Sequence, residues 1–524
     1  MAESCQLGTA HPPGYPLFTL LMHVATVWLP TSSSRSPAAN ANLLCAAFGA
    51  LAAGLLAQCV VLCVQLGRRQ SSKHSKNGTT ANPVADTTGT SIGIATTPSS
   101  EVAAWCAGAC AAGCWAFSPL VWQYAVTAEV FSLNNLLCSA VVHRTLLFAH
   151  SGTLADAYKG AFIVGLSLTN QHTAVLFAAP LSLWVAAVVV LSTLQTSDSK
   201  LSTTLWTKLI TLGACGLAGL SPYLYLPWAA FIRPRPGGWG DVKSLQGLWH
   251  HLSRADYGSL QLYSGGSGRE QWAERMWRWV DDSMHRQSPL GGTTAEPLWA
   301  FFACGGALLL LLQPLWWALV SSKASNDTAH NQAPQQPRSK KGKGSKGGAK
   351  STEEGVPQVA TARPTVTLNT SLAGPALVFA LVTYVGVFHY LNNMPLDNPL
   401  LFGIQARFWM QPNWLASTFA GVGLYAAAIA IARSFEVALT GLRKIGVHLN
   451  EINGAQPSSV DKTATTVALV VCLVLTLAQI RSSYHMSDQA NNWVFEGYAD
   501  AVLAPLPNRS LLLINYDQQW TSCR

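Results

Sequence analysis

The chain has 524 residues, of which 49% are apolar and only 11% charged, a balance that excludes an ordinary soluble enzyme and indicates a polytopic membrane protein. The formal charge of +9 does not describe a basic face. Arg338, Lys340, Lys341, Lys343, Lys346 and Lys350 fall in one Gly/Ser-rich stretch without interleaved aromatics, which reads as a topology signal beside an anionic leaflet rather than a nucleic-acid surface.

The first element follows Leu7–Phe18, LGTAHPPGYPLF. Pro12, Pro13 and Pro16 fix φ and remove donors, so the backbone is extended or turned, and Gly14 gives it freedom to turn. The run YPLFTLLMHVATVWLP, closed by Pro30, is too short to span a bilayer and predicts a helix near the membrane face. That places His11 and Tyr15 at the boundary of lipid and water, where a lipid head group sits; a plain turn entering a helix explains the same residues.

Spans are predicted at 42–67, 105–122 and 136–148, with the polar ledge QYAVTAEVFSLNN between the second and third. From Tyr158 to Leu194 the chain is apolar except for the island TNQHT, so two spans share a tight turn at Thr169–Thr173. Further spans are expected at 205–228, 298–320, 372–391, 414–432 and 465–480. The hydrophilic loop 233–297 carries QWAERMWRWV, with tryptophans at helical spacing, which suits an amphipathic helix at the interface. The chain thus divides into an N-terminal membrane module (1–320), a disordered Lys-rich linker (321–364), C-terminal membrane helices (365–481) and a polar, aromatic tail (482–524).

Alternating the sides puts the loops at Arg68, Lys200, Lys340 and Arg443 on one face, as the positive-inside tendency requires. The other face collects LGTAHPPGYP, TAEVFSLNN, TNQHT, GGWGD and RADYG, the loop NNMPLDNPLLFGIQARFWMQPN, and the tail. Distinctive polar sequence gathers on one side, and low-complexity sequence on the other.

On that face Glu129 is the leading acid, because a carboxylate at a membrane interface is costly to desolvate. Capping of a helix or pairing with Arg407 explains it equally well. Asp241 and then Asp256 are the loop acids to test next. Asn134 and Asn135 accompany Glu129 as substrate-binding candidates, while Asn170, Gln171 and His172 have the polar groups to hold sugar hydroxyls or a phosphate, or only to satisfy the turn. Arg407, followed by Phe408, Trp409, Met410 and Gln411, suits a lipid-linked phosphate because its planar fork pairs two oxygens at once; an interface anchor is the alternative. Of 12 cysteines, all but Cys5 and Cys523 lie in apolar runs and read as packing residues. Cys106, Cys110 and Cys114 share a helix face that suits a metal only if other helices add ligands. No Walker loop, GxGxxG entering a helix, HExxH or CxxC pair supports nucleotide or metalloprotease chemistry.

Taken in order, HPPGYPLFTLL, EVFSLNNLL, TNQHT, WGD, RFWMQ and LLLINYDQQWTS resemble the eukaryotic membrane O-mannosyltransferases that act on the IPT domains of plexins and related receptors, polytopic glycosyltransferases of the GT-C class. The resemblance implies a bundle of about ten transmembrane helices with luminal interfacial helices. It also implies an endoplasmic reticulum location, dolichyl phosphate mannose as donor and a luminal acceptor domain as partner. The residues then suit direct displacement, with a carboxylate taking the acceptor proton and Arg407 or His172 stabilising the leaving phosphate, and on that account no metal cofactor is required because fixed cations take the phosphate charge. In the family an acidic segment resembling Gly-Asp-Ser-Gly-Glu lies upstream of HPPGYP. This sequence lacks it and stops after NYDQQWTSCR, so the expectation is a truncated chain that lacks its base and is inactive; if the chain does transfer mannose, Glu129, Asp241 or another of these acids is the base. A lipid or solute transporter and a non-catalytic scaffold share the multi-span pattern, although no internal repeat or pair of broken helices favours transport.

Overall fold

The computed structural model describes residues 2–31, 36–75, 98–195, 201–232, 239–255, 258, 268–331, 372–444, 458–488, 490–491, 493–507 and 509–510. Most of the Lys-rich linker, the Lys200 and Lys340 loops, Asp256, Cys523 and the motif LLLINYDQQWTS lie outside the described residues. In lipid each segment must satisfy its own backbone N–H and C=O groups. Accordingly the apolar runs are helices, and no strand occurs among the described residues. Of these helices, seven are long and apolar enough to cross a membrane, or up to nine if each of two bent pairs is one span.

Helix α1 (Ala2–Gln6) precedes α2 (Pro16–His23), which ends in a π-helical turn, Val24–Trp28. Pro16 takes the first helical position, where a missing N–H costs nothing. Helix α3 (Pro37–Ser75) is followed by α4 (Pro98–Ala116) and α5 (Pro119–Ala125), which meet at 73°. The uninterrupted span expected at 105–122 is therefore corrected. Pro119 holds Ser118 in an extended conformation (φ −64°, ψ 146°), and the Ser118 hydroxyl donates to the Trp115 carbonyl (2.8 Å).

Helices α6 (Val130–Ser151), α7 (Leu154–Asn170) and α8 (Val175–Leu194) come next. The turn expected at TNQHT is present, made by extended Gln171 and a 3-10 turn, His172–Ala174. Helix α7 has 17 residues and carries Asp156 and Lys159 in its first two turns, so it is not among the helices that qualify as spans by length and composition. This accounts for part of the difference from the ten expected. Helices α9 (Leu201–Gly219) and α10 (Tyr225–Ile232) are bent by 43° at the 3-10 turn Ser221–Leu224. Then follow α11 (Leu245–Leu252), α12 (Trp272–His285), α13 (Pro297–Asn331) and α14 (Ala373–Leu391).

The long loop expected around RFWMQ is also corrected. Asn398 caps a helix by accepting from the N–H groups of Leu400 (2.9 Å) and Leu401 (3.5 Å), and Pro399 takes the first helical position. Helix α15 (Pro399–Ala406) then passes through one 3-10 turn, Arg407–Trp409, into α16 (Met410–Lys444). Helices α17 (Ser458–Ser487) and α18 (Val494–Leu503) close the described chain.

The core is centred on α16, whose Met410, Leu415 and Phe419 are fully buried beside Trp409. Indole N–H groups lock neighbours onto it: Trp115 of α4 donates to the Met410 carbonyl and Trp414 of α16 to the Ala52 carbonyl of α3, each at 3.1 Å. Gly306 of α13 lies against the Phe419 carbonyl and Gly423 of α16 against the Phe302 carbonyl, a backbone approach that any larger side chain would block.

Candidate functional site

The polar islands meet at one end of this bundle. The N-terminal segment is held there by three elements far away in sequence. The Tyr225 hydroxyl donates to the Gly8 carbonyl (2.8 Å), and Trp239 N–H donates to the Thr9 carbonyl (3.2 Å). Gly14, at φ +94°, leaves no room for a side chain, because a Cβ there would meet Leu226 and His251 Nε2 at 3.0–3.1 Å. His11 is exposed, with its ring edge-on to Tyr15 (5.2 Å) and Trp239 (6.2 Å). The HPPGYP and WGD motifs therefore share one surface. Asp241 is an exposed acid beside them whose carboxylate accepts from Lys243 N–H (3.3 Å), a local turn contact.

Glu129 stands at the N-cap position of α6, half-buried. Its side chain makes no cap bond, and no cation among the described residues lies within ion-pair distance of it. Neither alternative raised for it, capping or pairing with Arg407, is what the structure shows. Arg407 nevertheless lies close by. Its guanidinium carbon lies 5.0 Å over the centre of the Phe131 ring, in the first turn of α6, while its Nε donates to the Ile404 carbonyl (3.1 Å). Tyr124 packs on the same Phe131 ring (5.3 Å), with its hydroxyl near enough to feel the charges of both Glu129 and Arg407. The bend at Ser118–Pro119 sends α5 across the end of the bundle and so presents Tyr124. Sequence reasoning missed this tyrosine, and the Ser-Pro pair was its only trace.

On the neighbouring side His172 Nε2 lies 2.7 Å from the Tyr223 hydroxyl, which itself lies 2.6 Å from the Leu168 carbonyl. Arg254 is near enough to His172 for its charge to be felt, and Tyr15 stands in the same relation to Tyr223. Tyr15 (φ 42°) and Arg254 (φ 56°) both hold left-handed backbone, a conformation that costs a non-glycine residue energy. Tyr223 lies in no recognised motif; Arg254 opens the RADYG stretch, but nothing in the sequence paired it with His172.

The remaining candidates point inward. Asn134, Asn135, Asn170, Gln171 and Gln411 are all at most 5% exposed. Asn135 Oδ1 accepts from Gln411 Nε2 (2.7 Å), Gln411 Oε1 faces the Tyr384 hydroxyl (3.2 Å), and that hydroxyl donates to the Phe408 carbonyl (2.8 Å). Asn170 Nδ2 donates to the Val130 carbonyl (3.1 Å), tying the turn after α7 to the start of α6 beside Glu129. These amides fix the helices from which Glu129, His172 and Arg407 project.

Helix α12 braces the same end. Trp279 Nε1 and Ser283 Oγ both donate to Asn413 Oδ1 at 2.9 Å, and Gln287 Oε1 accepts from the N–H of Leu120 (3.1 Å) at the start of α5. Burial pushes the Asp282 carboxyl above the usual carboxylate range, against the opposing pull of its hydrogen bond from Gln287 and of Arg286. Cys472 of α17 donates to the Cys106 carbonyl on the cysteine face of α4. Among the described residues no group of three or more His, Cys, Asp or Glu is placed to hold a metal ion.

Fold and site together define an all-α polytopic membrane protein with a carboxylate and a guanidinium at one end of its bundle. Residues 1–196 match the family described as Protein O-mannosyl-transferase TMEM260 N-terminal domain. Along 98% of its length the chain is similar to the protein O-mannosyl-transferase tmem260 of Dictyostelium discoideum (24% identical, 50% of that protein covered). It is likewise similar to the protein O-mannosyl-transferase TMEM260 of Mus musculus (27% identical, 54% covered). The resemblance drawn from the motifs thus holds over nearly the whole chain, which spans about half the length of these curated relatives. No solved structure matches.

Proposed function

We propose that this chain is the membrane part of a GT-C-type protein O-mannosyltransferase of the endoplasmic reticulum. It moves mannose from dolichyl phosphate mannose to Ser or Thr of a folded luminal domain of the IPT type. One observation carries the reading: Glu129 is a half-buried carboxylate that among the described residues has neither cap bond nor ion pair, grouped through Tyr124 with a guanidinium that none of their carboxylates engages. A structural acid and a structural arginine so close together would be expected to pair.

In this mechanism the Glu129 carboxylate takes the proton of the acceptor hydroxyl as its oxygen attacks the anomeric carbon. The bond from that carbon to the lipid phosphate breaks, and the phosphate leaves with the electron pair. Arg407 meets the leaving oxygens through its planar fork, so the developing charge is stabilised by a group already in position.

The test is transfer by the purified chain in lipid nanodiscs, given dolichyl phosphate mannose and a folded IPT domain. Glu129→Gln is expected to lower the rate by about 100-fold or more, the scale of general base catalysis, with helical content unchanged. A wild-type chain that transfers no mannose overturns the function. A fully active Glu129→Gln variant overturns the assignment of the base.

A further inference from the structure

The contact between His172 and Tyr223 fixes where the protons are. A tyrosine hydroxyl has one proton to give, and a backbone carbonyl can only accept. With the Leu168 carbonyl 2.6 Å from the Tyr223 oxygen, that proton belongs to Leu168. The second short contact, 2.7 Å to His172 Nε2, is a hydrogen bond only if Nε2 carries the hydrogen and donates. The neutral ring therefore keeps its lone pair on Nδ1. Among the described residues that atom makes no hydrogen bond, and His172 is only partly buried, so the lone pair is left for a ligand.

The surroundings match a site built for a ligand rather than for packing. His172 begins the turn between α7 and α8, opposite the 3-10 turn that carries Tyr223. The two residues that flank the pair, Tyr15 and Arg254, hold left-handed backbone, and strain of this kind gathers at binding and active sites. Tyr15 belongs to the segment anchored by Gly14 and His251, and Arg254 follows α11 directly. Three separate stretches of chain thus converge on one imidazole.

We propose that His172 accepts, through Nδ1, a hydrogen bond from a hydroxyl of the bound substrates, and that Tyr223 is the positioning residue that locks the accepting tautomer. This rests on the glycosyl-transfer reading, which supplies two hydroxyl-bearing molecules: the lipid-linked hexose and the Ser or Thr of the acceptor domain. It differs from a role as a cation for the leaving phosphate, because a ring that accepts at Nδ1 carries no net charge. Arg254 supplies positive charge on this side without any help from the histidine.

The test uses the purified chain in nanodiscs with 15N-labelled histidine, the His172 signals being identified by their loss in His172→Asn. The expected free state has a protonated Nε2 and a bare Nδ1. Adding dolichyl phosphate mannose but not dolichyl phosphate moves the Nδ1 resonance if the hydroxyl belongs to the sugar; only the acceptor domain moves it if the hydroxyl is the acceptor's. Tyr223→Phe is expected to mix the two tautomers and weaken binding of that ligand about tenfold, the worth of one well-formed hydrogen bond, with helical content as in the wild type. A protonated Nδ1 in the free state overturns the proposal. So does an unmoved resonance in a chain shown separately to bind donor and acceptor. A chain that binds neither defeats the glycosyl-transfer reading and this inference with it, so the two failures are told apart by the binding measurement.

Discussion

The guanidinium of Arg275 and the carboxylate of Glu270 lie 3.0 Å apart with side chains only 4% and 5% exposed, and each also grips the loop that follows α14. Arg275 Nη1 donates to the Met394 carbonyl (2.7 Å), and Glu270 Oε1 accepts from Leu396 N–H (2.6 Å). Through this pair the amphipathic α12 is fixed to the segment leading into α15 and Arg407. Arg275→Ala is predicted to destabilise that region by about 3–5 kcal/mol, because it leaves a buried carboxylate without its partner. Arg275→Lys is predicted to recover little, since a single ammonium cannot reproduce the contacts made by Nε, Nη1 and Nη2. Hydrogen exchange along α12 is the measurement; wild-type protection in Arg275→Ala would show that the pair does not hold the helix.

The same pair gives an acid dependence of defined sign. Burial raises the Glu270 carboxyl, but hydrogen bonds from its own N–H and those of Leu396 and Asp397, with the Arg275 charge, hold it below the ordinary 4.5. Burial also lowers Arg275, but from far above neutral, so it stays charged. A carboxyl held low in the folded state stabilises that state fully above the ordinary value and ceases to do so as pH falls through the lower, folded one. The pair is therefore predicted to contribute a loss of α12 protection below about 4, set against the gain that Asp282 on the same helix, held above the usual range by burial, contributes as pH falls. Glu270→Gln should abolish that acid step; its persistence in the variant would assign the step to another group.

Asn135 and Gln411 were read as ligands from sequence, yet each is occupied by the other inside the bundle. Gln411→Leu is predicted to cost about 1–2 kcal/mol of stability, in the range of interhelical hydrogen bonds in membranes, by leaving Asn135 Oδ1 unpaired. The apparent KM for the donor should not change. Thermal unfolding and donor kinetics on the same sample separate the outcomes, and a raised KM at wild-type stability would return Gln411 to the binding site.

What could be read from the sequence follows from the range of each signal. Hydropathy located the membrane helices because lipid imposes helical backbone on any long apolar run, and the turn at TNQHT was legible because a polar island cannot stay in the middle of such a run. The break before Pro119 and the cap at Asn398–Pro399 were also written locally, but each was overridden by the surrounding composition, apolar in the first case and rich in Pro and Asn in the second. Glu129 and Arg407 stood out as charges beside membrane helices. Their grouping around Tyr124 and Phe131 did not, nor did the contact between His172 and Tyr223, because these meetings depend on how helices cross and leave no trace in spacing. The asparagines are ambiguous for a related reason: an amide beside a span is equally apt for a ligand or for a neighbouring helix, and sequence spacing does not separate the two.

Arg407 gives the most direct test of how the site reads its lipid-linked substrate. The guanidinium is held from two sides, by the face of Phe131 at 5.0 Å and by the bond from Nε to the Ile404 carbonyl at 3.1 Å. With Nε committed to the backbone and the Tyr124 hydroxyl within hydrogen-bonding reach of the guanidinium, the remaining N–H donors of Nη1 and Nη2 are the fork left for a phosphate, and the Phe131 ring backs it. Lysine keeps the charge but has neither the plane nor the second donor in fixed geometry. Arg407→Lys is therefore predicted to raise the KM for dolichyl phosphate mannose about tenfold or more, a scale set by a charge-assisted hydrogen bond, with the acceptor KM unchanged. Phe131→Leu should give a smaller rise by loosening the plane while leaving the charge in place. Steady-state kinetics with donor and acceptor varied in turn is the measurement. Full donor affinity in Arg407→Lys would mean that a point charge suffices and the fork has no role, whereas an acceptor KM that rises instead would place Arg407 on the protein side of the site.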